Sequence, residues 1–396
     1  MPASSTGTDC EANDGSLTAG ELCWVERQPW LEQAGYELRP RYRPGWQPSW
    51  HNDGNEKPSM LCEDGVRNCR DNVLDAIRSS DKIPVTLKAI KAQFEDEASY
   101  LQFFGQKKPS GDSRNHCVPL LEILRPPLEP ATVILVFPRL VPWDVFPFSR
   151  LDEAFEFFGQ VLEGLAFMHD HHVAHRDASW GNIMMDGLHL YLEPPHPSRP
   201  AWPATGEPRH ARHVARYDAD PRKKPVRYYF IDFGLSARRN GRGPAGQDRS
   251  APELAHNEPY DPFALDVYCI GSLFLVHWLN AYSNVEFLRP LVAAMMDPVP
   301  ARRPTATDAL RQFNGIRRCV ALKLRTTALV RVQGYDWQAF VRGGATSHQH
   351  QHQHQHQHHP TAASEFMHRV LSVRSKLARV LGKRFSSRIA VPSAAA

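Results

Sequence analysis

The chain has no C-x-x-C pair. Its 7 cysteines, at positions 10, 23, 62, 69, 117, 269 and 319, are odd in number and widely scattered, which argues against a disulfide framework or a zinc site and for reduced thiols in an intracellular compartment. The segment up to Trp30 is polar and lacks a cationic end followed by an apolar core, so no secretory signal is expected. Long apolar runs are missing too: the longest, Val267 to Leu279, is interrupted by Ser272 and His277 and reads as a buried helix, too short to span a bilayer. Charge of one sign is not in excess. With 47 basic and 43 acidic residues the net charge is only +4, and part of that surplus belongs to the C-terminal segment, so the totals select no polyanionic partner.

What is present is ordinary for a globular domain with polar additions: 396 residues, 42% hydrophobic and 23% charged. Residues 1–20 are small and polar and read as disordered. Residues 21–60 form an arm dense in aromatic and basic side chains, including Trp24, Trp30, Tyr36, Tyr42, Trp46 and Trp50. Such interleaving suits single-stranded nucleic acid, but an extended arm packed on the domain explains it without a partner, and no nucleic-acid ligand is assigned. Residues 193–227 turn to proline, arginine and histidine without apolar periodicity and read as a flexible insertion. Its Arg222-Lys223-Lys224 cluster reads as a solvated loop or a docking patch. From 319 to 396 runs a tail. It contains a His-Gln tract from His348 to His359, either a disordered repeat or a metal binder, and a basic amphipathic segment from Phe366 to Phe385. That segment suits an anionic membrane surface, an acidic partner, or docking on its own domain.

Two short acidic elements carry the chemistry. His175-Arg176-Asp177-Ala178-Ser179-Trp180-Gly181-Asn182 places a carboxylate and a carboxamide in one tight loop, where Asp177 suits proton acceptance and Asn182 suits ligation of a hard cation. Ile231-Asp232-Phe233-Gly234 follows a β-rich run from Tyr228, so Asp232 falls at a strand end beside a glycine that lets the backbone turn. Upstream, Val85-Thr86-Leu87-Lys88 alternates like a half-buried strand; alone, Lys88 would be a solvated strand lysine. Glu97 is followed by Tyr100, Leu101 and Phe104 at helical spacing, which sets it on the edge of an apolar stripe. Glu95 and Asp96 are adjacent alternatives. Thr132 to Leu140 reads as a buried strand entering a linker. Ser149-Arg150-Leu151-Asp152 reads as a capping box opening a helix whose Leu151, Phe155, Phe158, Leu162, Leu165 and Met168 are core.

These elements match H-R-D-x-x-x-x-N and D-F-G, and from about Val66 to about Arg318 the chain resembles the eukaryotic protein kinase superfamily. The aromatic arm, with Asn72-Val73-Leu74-Asp75-Ala76, Asn115-His116-Cys117-Val118-Pro119-Leu120-Leu121 and Gly246-Gln247-Asp248-Arg249-Ser250, resembles a kinase-like family of mushroom-forming fungi. The resemblance implies an α+β bilobal fold, with a small, mostly antiparallel β lobe and hinge over 61–140 and a larger helical lobe over 141–318. It also implies ATP and Mg²⁺ as cofactors and a protein hydroxyl as phosphate acceptor, the substrate itself being unidentified. By that resemblance Lys88 contacts the α and β phosphates and pairs with Glu97. Phe137 lies at the back of the adenine pocket, Pro138, Arg139 and Leu140 form the hinge, and Met184 joins the nucleotide-binding set. Asn182 and Asp232 hold the metal, and Asp177 takes or orients the hydroxyl proton. Asp266 anchors the catalytic-loop backbone, and Arg303 pairs with Glu253 as a structural ion pair.

Three departures stand out. The glycine-rich-loop positions are held by Val66, Asn68 and Asp71, where an aspartate would repel phosphate. Ser179 stands where many serine/threonine kinases carry lysine, and Thr86 replaces alanine over the adenine ring. Between Asp232 and Ala251-Pro252-Glu253 the only hydroxyls are Ser236 and Ser250, which argues against activation-loop control. The sequence therefore supports two readings: an active protein kinase, or a pseudokinase serving as a nucleotide-sensing or scaffolding module. A small-molecule kinase is disfavoured by the complete Ala-Pro-Glu and Arg-Pro-Thr elements.

Overall fold

A computed structural model describes residues 15–51, 58–68, 70–106, 111–204, 209–214, 225–238, 246, 248–255, 259–320 and 326–335. The His-Gln tract, the basic amphipathic segment, Arg222-Lys223-Lys224 and most of residues 1–20 lie outside them. The protein is a mixed α+β structure with an antiparallel sheet and helices. It divides into two compact units: residues up to Phe274 together with Leu291–Ala328, and Leu275–Pro290 together with the described residues from Leu329 onward.

The sheet belongs to the first unit. Strands β1 (Tyr36–Glu37), β2 (Val73–Arg78), β3 (Pro84–Lys91), β4 (Glu122–Leu124) and β5 (Thr132–Pro138) pair antiparallel in the order β1-β2-β3-β5-β4. Val133 to Val136 are fully buried because β5 is covered on both faces. Along β3 the pleat separates two sets of side chains: Val85 and Leu87 are fully buried, whereas Thr86 and Lys88 alternate with them and line a cleft.

The buried face is covered by the aromatic arm, whose first part, up to Gln33, is helical rather than extended. Helix α1 (Ala19–Gln33) starts at a reciprocal cap, in which the Glu21 N–H donates to Thr18 Oγ1 at 3.2 Å and the Thr18 N–H donates to Glu21 Oε2 at 2.9 Å. Trp24 and Leu31 then pack with Tyr36, Leu38 and Tyr42 onto Leu74, Ala76, Val85, Leu87 and Val136. Each large apolar side chain so buried contributes about 1.5–3 kcal/mol. The faces of Trp24, Tyr36 and Tyr42 are therefore packed on protein and not offered to bases.

Helices α2 (Asp96–Phe104), α3 (Leu151–Asp170), α4 (Pro262–Phe274), α5 (Arg289–Met295) and α6 (Ala306–Cys319) supply most of the rest. The apolar stripe expected of α3 is buried from Leu151 to Met168, but its cap differs from expectation. The helix begins at Leu151, so its third residue is Glu153, and Glu153 accepts the Ser149 N–H at 2.7 Å while Asp152 pairs with Arg150. Pro262–Leu279 is an 18-residue helical stretch, longer than the Val267–Leu279 run, and is long and apolar enough by composition alone to cross a membrane; two thirds of it is buried inside the protein.

Two smaller sheets complete the first unit. Strands β6 (Val141–Pro142), β7 (Ile183–Met185) and a third segment (Tyr228–Phe230) run in the order third-β7-β6, while β8 (Pro195–His196) and β9 (Arg199–Pro203) form a hairpin. The Tyr228–Phe230 segment is β10 in chain order. The hairpin occupies part of the stretch that composition marks as a flexible insertion. It is tied down by His196 Nε2, 2.8 Å from the Glu63 carbonyl, and by Ser198 Oγ, which accepts from Arg39 at 3.1 Å. His196 is almost fully buried; burial, against the pull of the Glu63 carbonyl, drops its pKa to about 4 and keeps the ring neutral near pH 7.

Candidate active site

β3 delivers Lys88 and α2 delivers Glu97 to one another. Lys88 Nζ lies 2.8 Å from both Glu97 oxygens and 2.9 Å from Asp232 Oδ1. Glu97 is the member of the acidic run turned inward, because Asp96 opens α2 and Glu95 faces outward to pair with Arg125 at 2.7 Å. Burial works against the lysine's charge, but the two carboxylates override it and hold its pKa above the ordinary value. Burial, helped by the charge of Asp232, pushes Glu97 up despite Lys88, whereas Lys88 outweighs burial at Asp232 and holds that carboxyl low.

The second cluster is built on the turn after α3. Asp266, fully buried on α4, accepts the His175 and Arg176 N–H groups at 2.7 Å each and meets His169 Nε2 at 3.0 Å. This fixes the turn that carries Asp177. Asn182 Nδ2 donates to the Asp177 backbone carbonyl at 3.0 Å and to Asp177 Oδ2 at 2.7 Å, and Ser179 Oγ lies 3.3 Å from Asp177 Oδ1. Because its amide nitrogen is committed to Asp177, Asn182 has its carbonyl oxygen left for other duties. Arg176 and Asp232 hold positive φ, 66° and 63°, a conformation that costs a non-glycine residue about 1–3 kcal/mol and tends to cluster at functional sites.

Aromatic packing joins the two clusters. Phe233, fully buried, lies 5.8 Å from Phe104 of α2 and 5.0 Å from His175, ring centre to ring centre, and His175 Nε2 contacts the Ile231 carbonyl at 3.0 Å. At the start of α4, where Arg303 also donates to the Ala264 carbonyl at 3.0 Å, the expected ion pair between Arg303 and Glu253 is bidentate at 2.6 and 2.7 Å.

Beside these groups opens a cleft of about 360 Å³, within the size range of small-molecule sites. Lys88, Glu97, Phe137, Arg139, Leu140, Met184 and Asp232 all line it. Asp177 and Asn182 do not; they sit beside it, 9% and 1% exposed. Several lining residues carry no clear mark in the sequence. Asp144, which accepts from Trp180 Nε1 at 2.9 Å, lies in an unpatterned linker, and Pro197, Ser198 and Pro200 come from the hairpin. The cluster of prolines at 194, 195, 197 and 200 is the available signal for that hairpin, since proline stiffens a short turn.

Carboxylate and carboxamide oxygens are the donor chemistry Mg²⁺ prefers, with the rest of its shell left to phosphate and water. Asp232 and Asn182 fit that role. Among the described residues no group of three or more His, Cys, Asp or Glu side chains forms a self-sufficient metal site.

Arg139 offers a stability test. Its Nη2 is buried with no hydrogen-bond partner among the described residues. Burial, reinforced by Arg39 and opposed by Asp75, holds its pKa below the usual arginine value. A buried unmatched donor costs about 1–3 kcal/mol, so Arg139→Met should raise the unfolding free energy by about 1 kcal/mol in a urea titration. A loss of that size instead would mean the guanidinium contributes more than it costs. No protein-family model and no curated protein matches the chain.

Proposed function

We propose that the chain is a protein kinase of bilobal, kinase-like fold that moves the γ-phosphoryl group of Mg-ATP to a protein hydroxyl. The observation that carries this reading is the meeting of four distant segments: Lys88, Glu97 and Asp232 within 2.9 Å of one another through the lysine, beside the Asp177–Asn182 pair. Phosphoryl transfer asks a protein mainly for positioning and charge, and this arrangement divides those tasks. Lys88, oriented by Glu97, holds phosphate oxygens. Asn182 and Asp232 would hold Mg²⁺, which when bound neutralises charge on the phosphates. Asp177 accepts the proton of the acceptor hydroxyl as the new O–P bond forms and the β–γ bridging bond breaks, releasing ADP. Leu140 and Met184, which line the cleft, would supply apolar walls for the base, Thr86 would narrow the space over it, and Phe137 would close the back.

A second reading, a pseudokinase that senses nucleotide or scaffolds a partner, is favoured by Ser179 in place of a lysine and by Asp177 lying outside the cleft lining. Mg-dependent ATP binding and transfer to a mixed peptide library decide between them. Asp177→Asn should lower transfer about 10²–10⁴-fold with little change in nucleotide affinity, whereas Asp232→Asn should weaken Mg-ATP binding itself. Tight binding with no transfer above the Asp177→Asn background would select the pseudokinase.

A further inference from the structure

We propose that Arg70 grips the nucleotide phosphates from the roof of the cleft, replacing with one guanidinium the backbone amides a glycine-rich loop would supply. The inference rests on the nucleotide reading above and adds to it a phosphate-binding residue and the manner of its binding.

The roof loop is a fixed frame. Asn68 Nδ2 donates to the Arg70 carbonyl at 2.8 Å and also to the Val73 carbonyl. Trp24 Nε1 donates to the Asp71 carbonyl at 2.8 Å, and the Ala89 N–H to the Asn72 carbonyl at 2.8 Å. Successive carbonyls from Arg70 to Val73 are thus engaged, and no glycine is present to let the loop fold down and converge its N–H groups on an anion. If phosphate is held from above, a side chain must do it.

Of the three charged side chains between Val66 and Val73, Arg67 reaches Ser16 Oγ at 3.2 Å and does not line the cleft, while Arg70 and Asp71 point in opposite senses. Asp71 lies against Gly20 in the first turn of α1, where even a methyl group on Gly20 would overlap its carboxylate. Negative charge is favoured at a helix N-terminus, so this aspartate has a place away from the cleft, and Asp71 is absent from the cleft lining. Arg70 lines the cleft together with Lys88 and Asp232, and makes no salt bridge among the described residues. The repulsion that the sequence position of Asp71 suggests is therefore replaced by attraction from its neighbour.

Charge balance gives the arginine its importance. Lys88 already faces two carboxylates, and Asp144 adds a third to the cleft wall. Arg39 is committed to Glu63 at 3.0 Å and to Asp75 at 3.1 Å. Arg139 sits on the hinge segment beside Asp75 and Arg39. Arg70 is thus the exposed cation at the phosphate end, and its planar fork matches phosphate oxygens two at a time.

The test is calorimetric titration of the full chain, with Mg²⁺ present, using ATP, AMP and adenosine. Arg70→Ala should weaken ATP about ten- to a hundredfold, as expected for lost charge-assisted hydrogen bonds, and leave adenosine unchanged, which also shows that the variant is folded. Arg70→Lys should recover part of the loss, since it restores the charge without the fork. Asp71→Asn should leave ATP affinity unchanged. Equal loss for adenosine and ATP in Arg70→Ala, an unaltered ATP affinity, or a marked gain in Asp71→Asn would each overturn the inference while the nucleotide reading stands. Failure of the wild-type chain to bind either ATP or adenosine would remove that reading and the inference together.

Discussion

Gly246→Ala should lower phosphoryl transfer about a hundredfold or more while leaving Mg-ATP affinity close to wild type. Gly246 lies on the carboxylate of Asp177, and a methyl group at its Cα would overlap Oδ1, Cγ and Cβ of that residue at once. The contact is fixed from the other side by the Gly246 N–H, which donates to the Arg176 carbonyl at 3.2 Å. The φ of Gly246 is not positive, so space rather than backbone freedom demands the glycine. An alanine must either push Asp177 off Asn182 or lift the segment away, and a displacement of about 1 Å at a reacting group can cost about a hundredfold. Lys88, Glu97 and Asp232 make no contact with this residue, which is why binding and turnover should separate. Initial rates across ATP concentrations read the split: kcat falls and KM for ATP stays. Unchanged kcat would mean that Asp177 does not work in the position the glycine enforces, and the catalytic reading would lose its base.

How legible this was in the sequence depended on distance along the chain. The Asp177–Asn182 pair and the helical spacing from Glu97 to Phe104 are local patterns, and the side chains meet as that spacing requires. Lys88 was legible as a strand lysine, but its pairing with Glu97 came only from the resemblance to kinases, and its contact with Asp232, 144 residues away, was not expected. The α+β class likewise came from the resemblance, and the mixed sheet and helices agree with it at that coarse level. Aromatic residues of the arm gave a composition without a direction: nothing in Trp24 or Tyr42 says that they cover the back of the sheet, because the partners lie far ahead in Leu74, Val85 and Val136. The hairpin at 195–203 failed for a related reason. Its strands are too short for apolar alternation, and its anchors are single polar bonds to Glu63 and Arg39, 133 and 159 residues away. Asp71 shows the opposite limit, a correct position in the sequence whose side-chain direction was set by Gly20.

Glu21→Ala should destabilise the protein by about 3–5 kcal/mol, the cost of leaving a buried charge without its partner. Arg41 is fully buried, and its guanidinium is held by Glu21 at 2.7 and 3.0 Å and by the Asp64 carbonyl at 2.8 Å. The same carboxylate caps α1, so the alanine also removes a cap worth about 1 kcal/mol. Against a typical total of about 5–15 kcal/mol, that loss is a large fraction. The pH dependence has a definite sign. Burial alone would raise the Glu21 pKa, but Arg41 and the Thr18 N–H outweigh it and hold it below the ordinary 4.5. The contribution is therefore complete above about pH 4.5 and is lost as pH falls through the lowered folded value. Replacing both partners, as in Glu21→Leu with Arg41→Met, should cost much less than the sum of the single changes, because no buried charge is then stranded. Since α1 also positions Trp24 on the Asp71 carbonyl, Glu21→Ala should loosen the roof of the cleft and weaken ATP along with the fold. Urea unfolding of the single and double variants at pH 7 and pH 4 reads all of these terms, and a loss under about 1 kcal/mol for Glu21→Ala would mean that the arm is an accessory rather than the second face of the sheet.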